Sequence, residues 1–131
     1  MHQYYIDNGQ VLLRAATDLP PAGNRFDSPY DSDARYGNKR STTWTGYKVH
    51  ITEKSDVDSV HLITNIETKS AHLSDVDQTE LIHEALSAKA LLPSEHIVDA
   101  GYVDSDLLIS SKLDHGVDVV GPVRPNTRNA G

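Results

Sequence analysis

The sequence has no cysteine and only one residue each of tryptophan, phenylalanine and methionine among its 131 residues. The lack of cysteine excludes disulfides and thiolate metal sites, and it fits a reducing cytoplasm. No apolar run approaches the roughly 20 residues that span a membrane. The first residues, Met1 to Tyr5, lack the basic and then apolar order of a secretory signal. We therefore expect a cytoplasmic protein that does not bind membranes.

Positive charge is also scarce, with 12 Lys and Arg against 19 Asp and Glu, which gives a net charge of −7. This balance argues against a free-standing, nonspecific DNA-binding protein, because such proteins displace counterions with excess positive charge. Any contact with nucleic acid must come from a local basic patch or from parts of a larger protein. The length suits one domain with its own hydrophobic core.

Four of the twelve basic residues fall between positions 31 and 48. This basic stretch contains Arg35, Lys39, Arg40 and Lys48, with Ser, Thr, Trp and Tyr between them. Cations beside hydroxyls and aromatics suit phosphate contacts, with Arg donating forked hydrogen bonds and Lys acting as a point charge. The alternative is a solvated loop whose charges offset the acidic remainder. Residue types alone leave both interpretations open.

The chain predicts a hairpin, a long loop and then alternating strands and helices. Asn8-Gly9 between two apolar-aromatic stretches indicates the hairpin, and the Pro and Gly residues that follow indicate loop. Apolar periodicity predicts strands and helices beyond that. We expect strands near 44–53, 59–68, 95–99 and 117–120 in one mixed sheet, a helix near 76–91 on one face, and a short helix capped by Asp104. A crossover connection would make the strand at 95–99 parallel to an earlier strand.

Asp99 follows a short apolar strand, His96-Ile97-Val98, and precedes Gly101 and Tyr102. In an open α/β sheet, ligands bind at the carboxyl ends of strands, where this aspartate is expected. Gly101 is expected to supply backbone angles that other residues resist. The alternative is an aspartate that stabilises a turn by accepting a hydrogen bond from its own backbone. Spacing alone favours that second interpretation.

Several motifs together resemble a known family. The segments Trp44–His50 and Val98–Tyr102 resemble DDE transposases of the bacterial insertion-sequence type, and so do Ser28–Asp31, Ala34–Tyr36 and His61–Thr68. The resemblance covers about residues 3–122. It implies an α/β, ribonuclease H-like mixed sheet with crossover helices. In this family three carboxylates hold two divalent ions, Mg²⁺ or Mn²⁺, for cleavage and transfer of DNA at transposon ends.

The resemblance assigns only one of the three carboxylates to this sequence. Asp99 matches the second, and it is therefore the expected catalytic residue and metal ligand. The first should lie on a strand well before Gly46–His50; Asp7 lacks that context. The third, a glutamate on a later helix, should follow Val120, and positions 122–131 do not supply it. We expect an incomplete core that is inactive alone, from a truncated gene or a split transposase.

The same reasoning predicts three regions and leaves two further hypotheses. Residues 1–40 form an irregular lead-in, 41–122 a partial catalytic core and 123–131 an unstructured tail. The seven histidines are scattered singly, at positions 2, 50, 61, 72, 83, 96 and 115, which argues against a zinc site. Besides a transposase fragment, the chain could be a non-catalytic regulator that binds DNA or intact transposase. It could also be a vestigial product without function.

Overall fold

The structure is a computed structural model that describes residues 4–122. The unstructured tail expected at 123–131 lies outside the described residues. The protein is mixed α/β, and its chain divides into two compact units. The first unit comprises residues 1–50 and 68–73, and the second comprises residues 51–67 and 74–131.

The predicted N-terminal hairpin is confirmed. Strand β1 (Tyr4–Asp7) pairs antiparallel with β2 (Gln10–Leu13). The two residues between them, Asn8 and Gly9, have φ angles of 48° and 81°. Asn and Gly tolerate this left-handed region best, and the turn it forms matches the twist of a hairpin. Two short 3₁₀ turns, at Ala16–Asp18 and Ala22–Asn24, follow in the expected loop region.

A three-stranded antiparallel sheet contains strands β3 (Arg35–Lys39), β4 (Thr42–Glu53) and β5 (Ile63–Ser70), with β4 in the middle. The β3–β4 register runs from Arg35 opposite Gly46 to Lys39 opposite Thr42. Between β4 and β5 the backbone bond from Lys54 N to Leu62 O measures 2.9 Å. The expectation that the strands near 44–53 and 59–68 share a sheet is confirmed for β4 and β5, although β5 begins later than expected.

Helix α1 (Val76–Ala88) lies within the predicted range and buries Ile82 and Leu86 among others. Two residues after the helix ends, Ala90 has a left-handed backbone with a φ of 56°. The short helix α2 (Ser105–Ser110) begins as expected, because the Asp104 carboxylate accepts a 2.8 Å bond from Leu107 N. A π-helical turn (Ser111–His115) continues it and ends at Gly116, whose φ of 69° is left-handed and favours glycine.

The last two strands, β6 (Glu95–Ile97) and β7 (Asp118–Val120), form a separate parallel pair. The hydrophobic cluster of the second unit lies beside them and contains Val103, Val117 and Val119, with Leu92 and Val98 packed against it. The prediction of one mixed sheet is therefore wrong, since strand pairing within residues 4–122 gives three sheets. β6 is parallel to the later strand β7, not to an earlier one, because α2 supplies the crossover connection that a parallel pair needs.

Within residues 4–122, none of the helices combines the length and the apolar character required to cross a membrane.

Candidate functional site

Asp99 lies just beyond the carboxyl end of β6, in the second unit, and its side chain is exposed. The parallel ladder continues to the residue before it, because Val98 N donates a 2.8 Å hydrogen bond to Val120 O. The carboxyl ends of β6 and β7 therefore meet at one edge of this pair. Asp99 occupies the place in a parallel sheet where ligands usually bind.

Asp99 also stabilises its own turn. Its Oδ1 accepts a 2.8 Å hydrogen bond from Gly101 N, and its backbone oxygen accepts a 3.1 Å bond from Tyr102 N. This hydrogen bond forms the turn that Asp favours. The alternative interpretation from the sequence, an aspartate that stabilises a turn, is therefore confirmed. The bond fixes the direction of the carboxylate.

A second carboxylate, from Asp75 at the start of α1, lies beside Asp99. A Cβ on Gly101 would lie 3.0 Å from Asp99 Oδ1 and 3.1 Å from Asp75 Oδ2, so both carboxylates flank one point. Gly101 does not have a positive φ, and the expectation that it supplies unusual backbone angles is wrong. Glycine suits this position because it leaves room for the two carboxylates.

Helix α1 also anchors the loop that follows Asp99. The buried hydroxyl of Thr79 donates a 2.8 Å hydrogen bond to Tyr102 O. The pKa of Tyr102 is raised, first by burial and then by the negative charges of Asp75 and Asp99. Asp75 directly precedes the helix predicted near 76–91, and residue patterns do not predict its place beside Asp99. Asp75 is at the N-cap position, but its side chain makes no capping bond.

The carboxylates of this site do not form a complete metal-binding group. In residues 4–122, no three His, Asp or Glu side chains are arranged to hold one metal ion. Asp99 and Asp75 nevertheless supply carboxylate oxygens, which are the donors that Mg²⁺ prefers. Mg²⁺ is commonly held by one or two carboxylates, with waters and substrate phosphates completing its shell.

Three histidines that are distant in the sequence lie together in the second unit. His83 Nε2 is 2.9 Å from His96 Nδ1, and the ring centroids of His83 and His115 are 5.6 Å apart. Burial, together with the nearby rings of His96 and His115, lowers the pKa of His83 to about 4. These histidines are scattered singly along the sequence, and the fold brings them together. Spacing along the chain does not reveal the cluster, because its members come from α1, β6 and the π-helical turn.

The four cations of the basic stretch have different surroundings within the first unit. Arg35 donates hydrogen bonds to the carbonyl oxygens of Gly23 (3.1 Å), Ala34 (3.2 Å) and Ser32. Lys48 Nζ donates a 2.8 Å bond to Leu73 O. Lys39 and Arg40 lie at the exposed β3–β4 turn, where Arg40 has a φ of 57°. The structure therefore places two of the predicted DNA-binding residues on a hairpin tip and holds the other two with backbone oxygens.

Charge is divided unequally between the two units. The first unit contains seven Lys and Arg against five Asp, an excess of two positive charges. The second contains five Lys and Arg against fourteen Asp and Glu, an excess of nine negative charges. Asp99 belongs to the acidic unit, whereas all four cations of the basic stretch belong to the other.

No protein-family model, curated protein sequence or solved structure matches the chain.

Proposed function

We propose that this chain carries the part of a DDE transposase core that contains the second catalytic carboxylate. The observation that carries the proposal is the position of Asp99, exposed beyond the carboxyl end of a parallel strand, with Asp75 beside it. The sequence resemblance assigns the same residue to metal-dependent DNA cleavage and transfer. A ribonuclease H-like core belongs to the same mixed α/β class, although strand pairing in residues 4–122 gives separate sheets and not the one mixed sheet that the resemblance implies.

In this proposal Asp99 binds a divalent ion, Mg²⁺ or Mn²⁺, and Asp75, which flanks the same glycine, is the candidate to add an oxygen. The chemistry that such ions supply is activation of a nucleophile and stabilisation of the leaving oxygen at a phosphodiester. The residues around Asp99 hold its carboxylate in position for the ion. The bond from Gly101 N orients the Asp99 carboxylate, and the Thr79 hydroxyl fixes the loop that carries it.

We further propose that the chain is inactive alone. Two-metal chemistry needs both ions positioned before reaction, and two neighbouring carboxylates provide few of the required ligands. The assay is cleavage of supercoiled plasmid with Mg²⁺ or Mn²⁺ by the purified chain and by Asp99→Ala. We expect neither to cut. Cleavage by the first that is lost in the second would contradict this part of the proposal.

The genomic DNA on either side of the coding sequence tests the family assignment itself. We expect reading frames that encode an aspartate at the end of an apolar strand upstream and a glutamate on a helix downstream. Flanking DNA without either carboxylate-bearing segment would contradict an origin in a transposase gene.

A second candidate function is a non-catalytic regulator that binds DNA or intact transposase. The unequal division of charge supports it, because the first unit has excess positive charge and presents Lys39 and Arg40 on a hairpin tip. Such a protein would bind DNA with a strong salt dependence and would not require Asp99. DNA binding that is unchanged in Asp99→Ala, together with the absence of carboxylate-encoding flanks, would favour the regulator.

A further inference from the structure

The second unit contains a large, solvent-open groove whose lining does not include Asp99. It has a volume of about 1100 Å³ and lies among the β4–β5 connection, the end of α1 and the segment that leads into β6. Small-molecule sites are usually enclosed and measure roughly 300–1,000 Å³. The size and openness of this groove suit a segment of polypeptide better than a small ligand.

The groove combines apolar residues with an acidic rim. Leu86 is buried in it, while Leu91 and Ile97 are 50% and 69% exposed. Four acidic residues line it: Glu53, Asp56, Asp58 and Glu95. Among the lining residues Lys54 is the one lysine, and its ammonium lies 3.1 Å from Asp56. The local excess of negative charge therefore comes with exposed aliphatic side chains that a partner could cover.

One side of the groove is a strand with a single neighbour. All three residues of β6 line the groove, and none of β7 does. Within residues 4–122, β6 pairs only with β7. An extended segment can add to such an edge through backbone hydrogen bonds, with alternate side chains entering adjacent pockets.

We propose that this groove binds an extended, cationic segment of another protein, in which apolar residues alternate with Lys or Arg. The apolar side chains would cover Leu91 and Ile97, and the cations would face Glu53, Asp58 and Glu95. Charge complementarity selects this occupant, because the groove is lined by four carboxylates and one lysine. The proposal does not depend on transposase chemistry at Asp99.

The test is fluorescence anisotropy of the full chain with a labelled peptide of alternating valine and lysine. Peptides of alternating serine and lysine, and of valine and glutamate, separate the apolar contribution from the charge contribution. We expect the valine–lysine peptide to bind at least tenfold more tightly than either, and more weakly as salt is raised. Equal binding of the serine–lysine peptide would overturn the proposal, because it would show general attraction to an acidic protein.

Two kinds of variant locate the binding. Glu53→Lys with Glu95→Lys should weaken binding at least tenfold and flatten its salt dependence. The control, Glu80→Lys with Glu84→Lys on exposed positions of α1, makes the same change in net charge and should alter affinity less than twofold. Ile97→Thr keeps a β-branched residue in β6, and should weaken binding severalfold without changing the salt dependence. Equal losses in the two charge-reversal variants would place binding outside the groove.

Sedimentation of the chain without peptide distinguishes a second copy as the occupant. We expect no dimer that depends on Glu53 and Glu95. A dimer that dissociates in Glu53→Lys with Glu95→Lys, but not in the control variant, would assign the groove to self-association and overturn a separate partner. Circular dichroism of each variant verifies that the chain remains folded.

Discussion

The hydroxyl of Thr79 donates a 2.8 Å hydrogen bond to the carbonyl oxygen of Tyr102, and so connects α1 to the loop that carries Asp99. Thr79 is fully buried, and its partner lies 23 residues further along the chain. The loop at the carboxyl end of β6 is therefore held both by its own turn and by the first turns of α1. Asp75, at the start of the same helix, shares this position beside the loop.

Removing the Thr79 hydroxyl should destabilise the protein. Thr79→Val keeps the shape of the side chain but leaves the Tyr102 oxygen without this donor, which should lower the free energy of unfolding by about 1–2 kcal/mol. Urea denaturation followed by circular dichroism measures the change. Thr45→Val, the same substitution at an exposed position of β4, should stay within about 0.5 kcal/mol of the parent. Similar stabilities for both variants would show that the connection to the loop is unimportant.

The negative charges beside Tyr102 should be visible in its titration. Burial is the larger cause of its raised pKa, and the charges of Asp75 and Asp99 add to it. Asp75→Asn and Asp99→Asn should therefore each lower the pKa of Tyr102, as measured by NMR of labelled tyrosine rings.

Asp31→Asn is the matched control for this titration. The Tyr47 hydroxyl donates a 2.8 Å bond to Asp31, and that bond is the main cause of the raised pKa of Tyr47. The substitution should lower the pKa of Tyr47 and leave Tyr102 unchanged. A Tyr102 pKa that responds to neither Asp75 nor Asp99 would contradict the proximity of the two carboxylates.

The buried histidine cluster should make the second unit sensitive to acid. The pKa of His83 is about 4 in the folded protein and near 6.5 when the chain is unfolded. Between these values the unfolded state binds more protons, so the free energy of unfolding falls as the pH falls from 6.5 towards 4. His83 should account for about 2–3 kcal/mol of this fall in the free energy of unfolding. Urea denaturation at pH 7 and at pH 4.5 measures most of the fall.

His83→Gln should reduce this loss of stability, whereas His61→Gln, at an exposed position of the same unit, should lose as much as the parent. The carboxylates titrate alike in all three proteins, so their contribution cancels in the comparison. An unchanged pH dependence in His83→Gln would show that the cluster does not control acid stability.

The basic stretch should separate into two functional pairs. If the first unit binds DNA, Lys39→Ala with Arg40→Ala should weaken binding to all sequences and flatten the salt dependence by roughly one unit for each phosphate that is no longer neutralised. The free energy of unfolding should change little, because Lys39 and Arg40 lie at an exposed turn. Arg35→Ala should instead lower stability, because its guanidinium holds carbonyl oxygens of the preceding loop. Unchanged DNA affinity in the Lys39–Arg40 variant would identify these charges as solubilising only.

Local signals in the sequence predicted most elements and the N-terminal hairpin, but not the partner of β6 or the division into separate sheets. The Asn8-Gly9 hairpin and the Asp104 cap depend on neighbouring residues, and both were predicted correctly. The partner of β6 depends on which crossover brings strands together, and periodicity does not contain that information. The position of Asp75 beside Asp99, and the meeting of His83 with His96, depend on the same tertiary packing. Of the candidate site residues, the sequence pointed to Asp99 and the basic stretch, and it did not point to Asp75 or the histidine cluster.

We propose that the Asp99 carboxylate binds a divalent ion at the end of β6, and paramagnetic broadening by Mn²⁺ measures this binding. Titrating Mn²⁺ into the isotope-labelled chain should broaden the amide signals of Gly101 and Tyr102 first. Asp99→Asn should abolish that preference, whereas Asp58→Asn, in the exposed β4–β5 connection, should not. Broadening of Gly101 and Tyr102 that persists in Asp99→Asn, or that is strongest at other acidic segments, would contradict the claim.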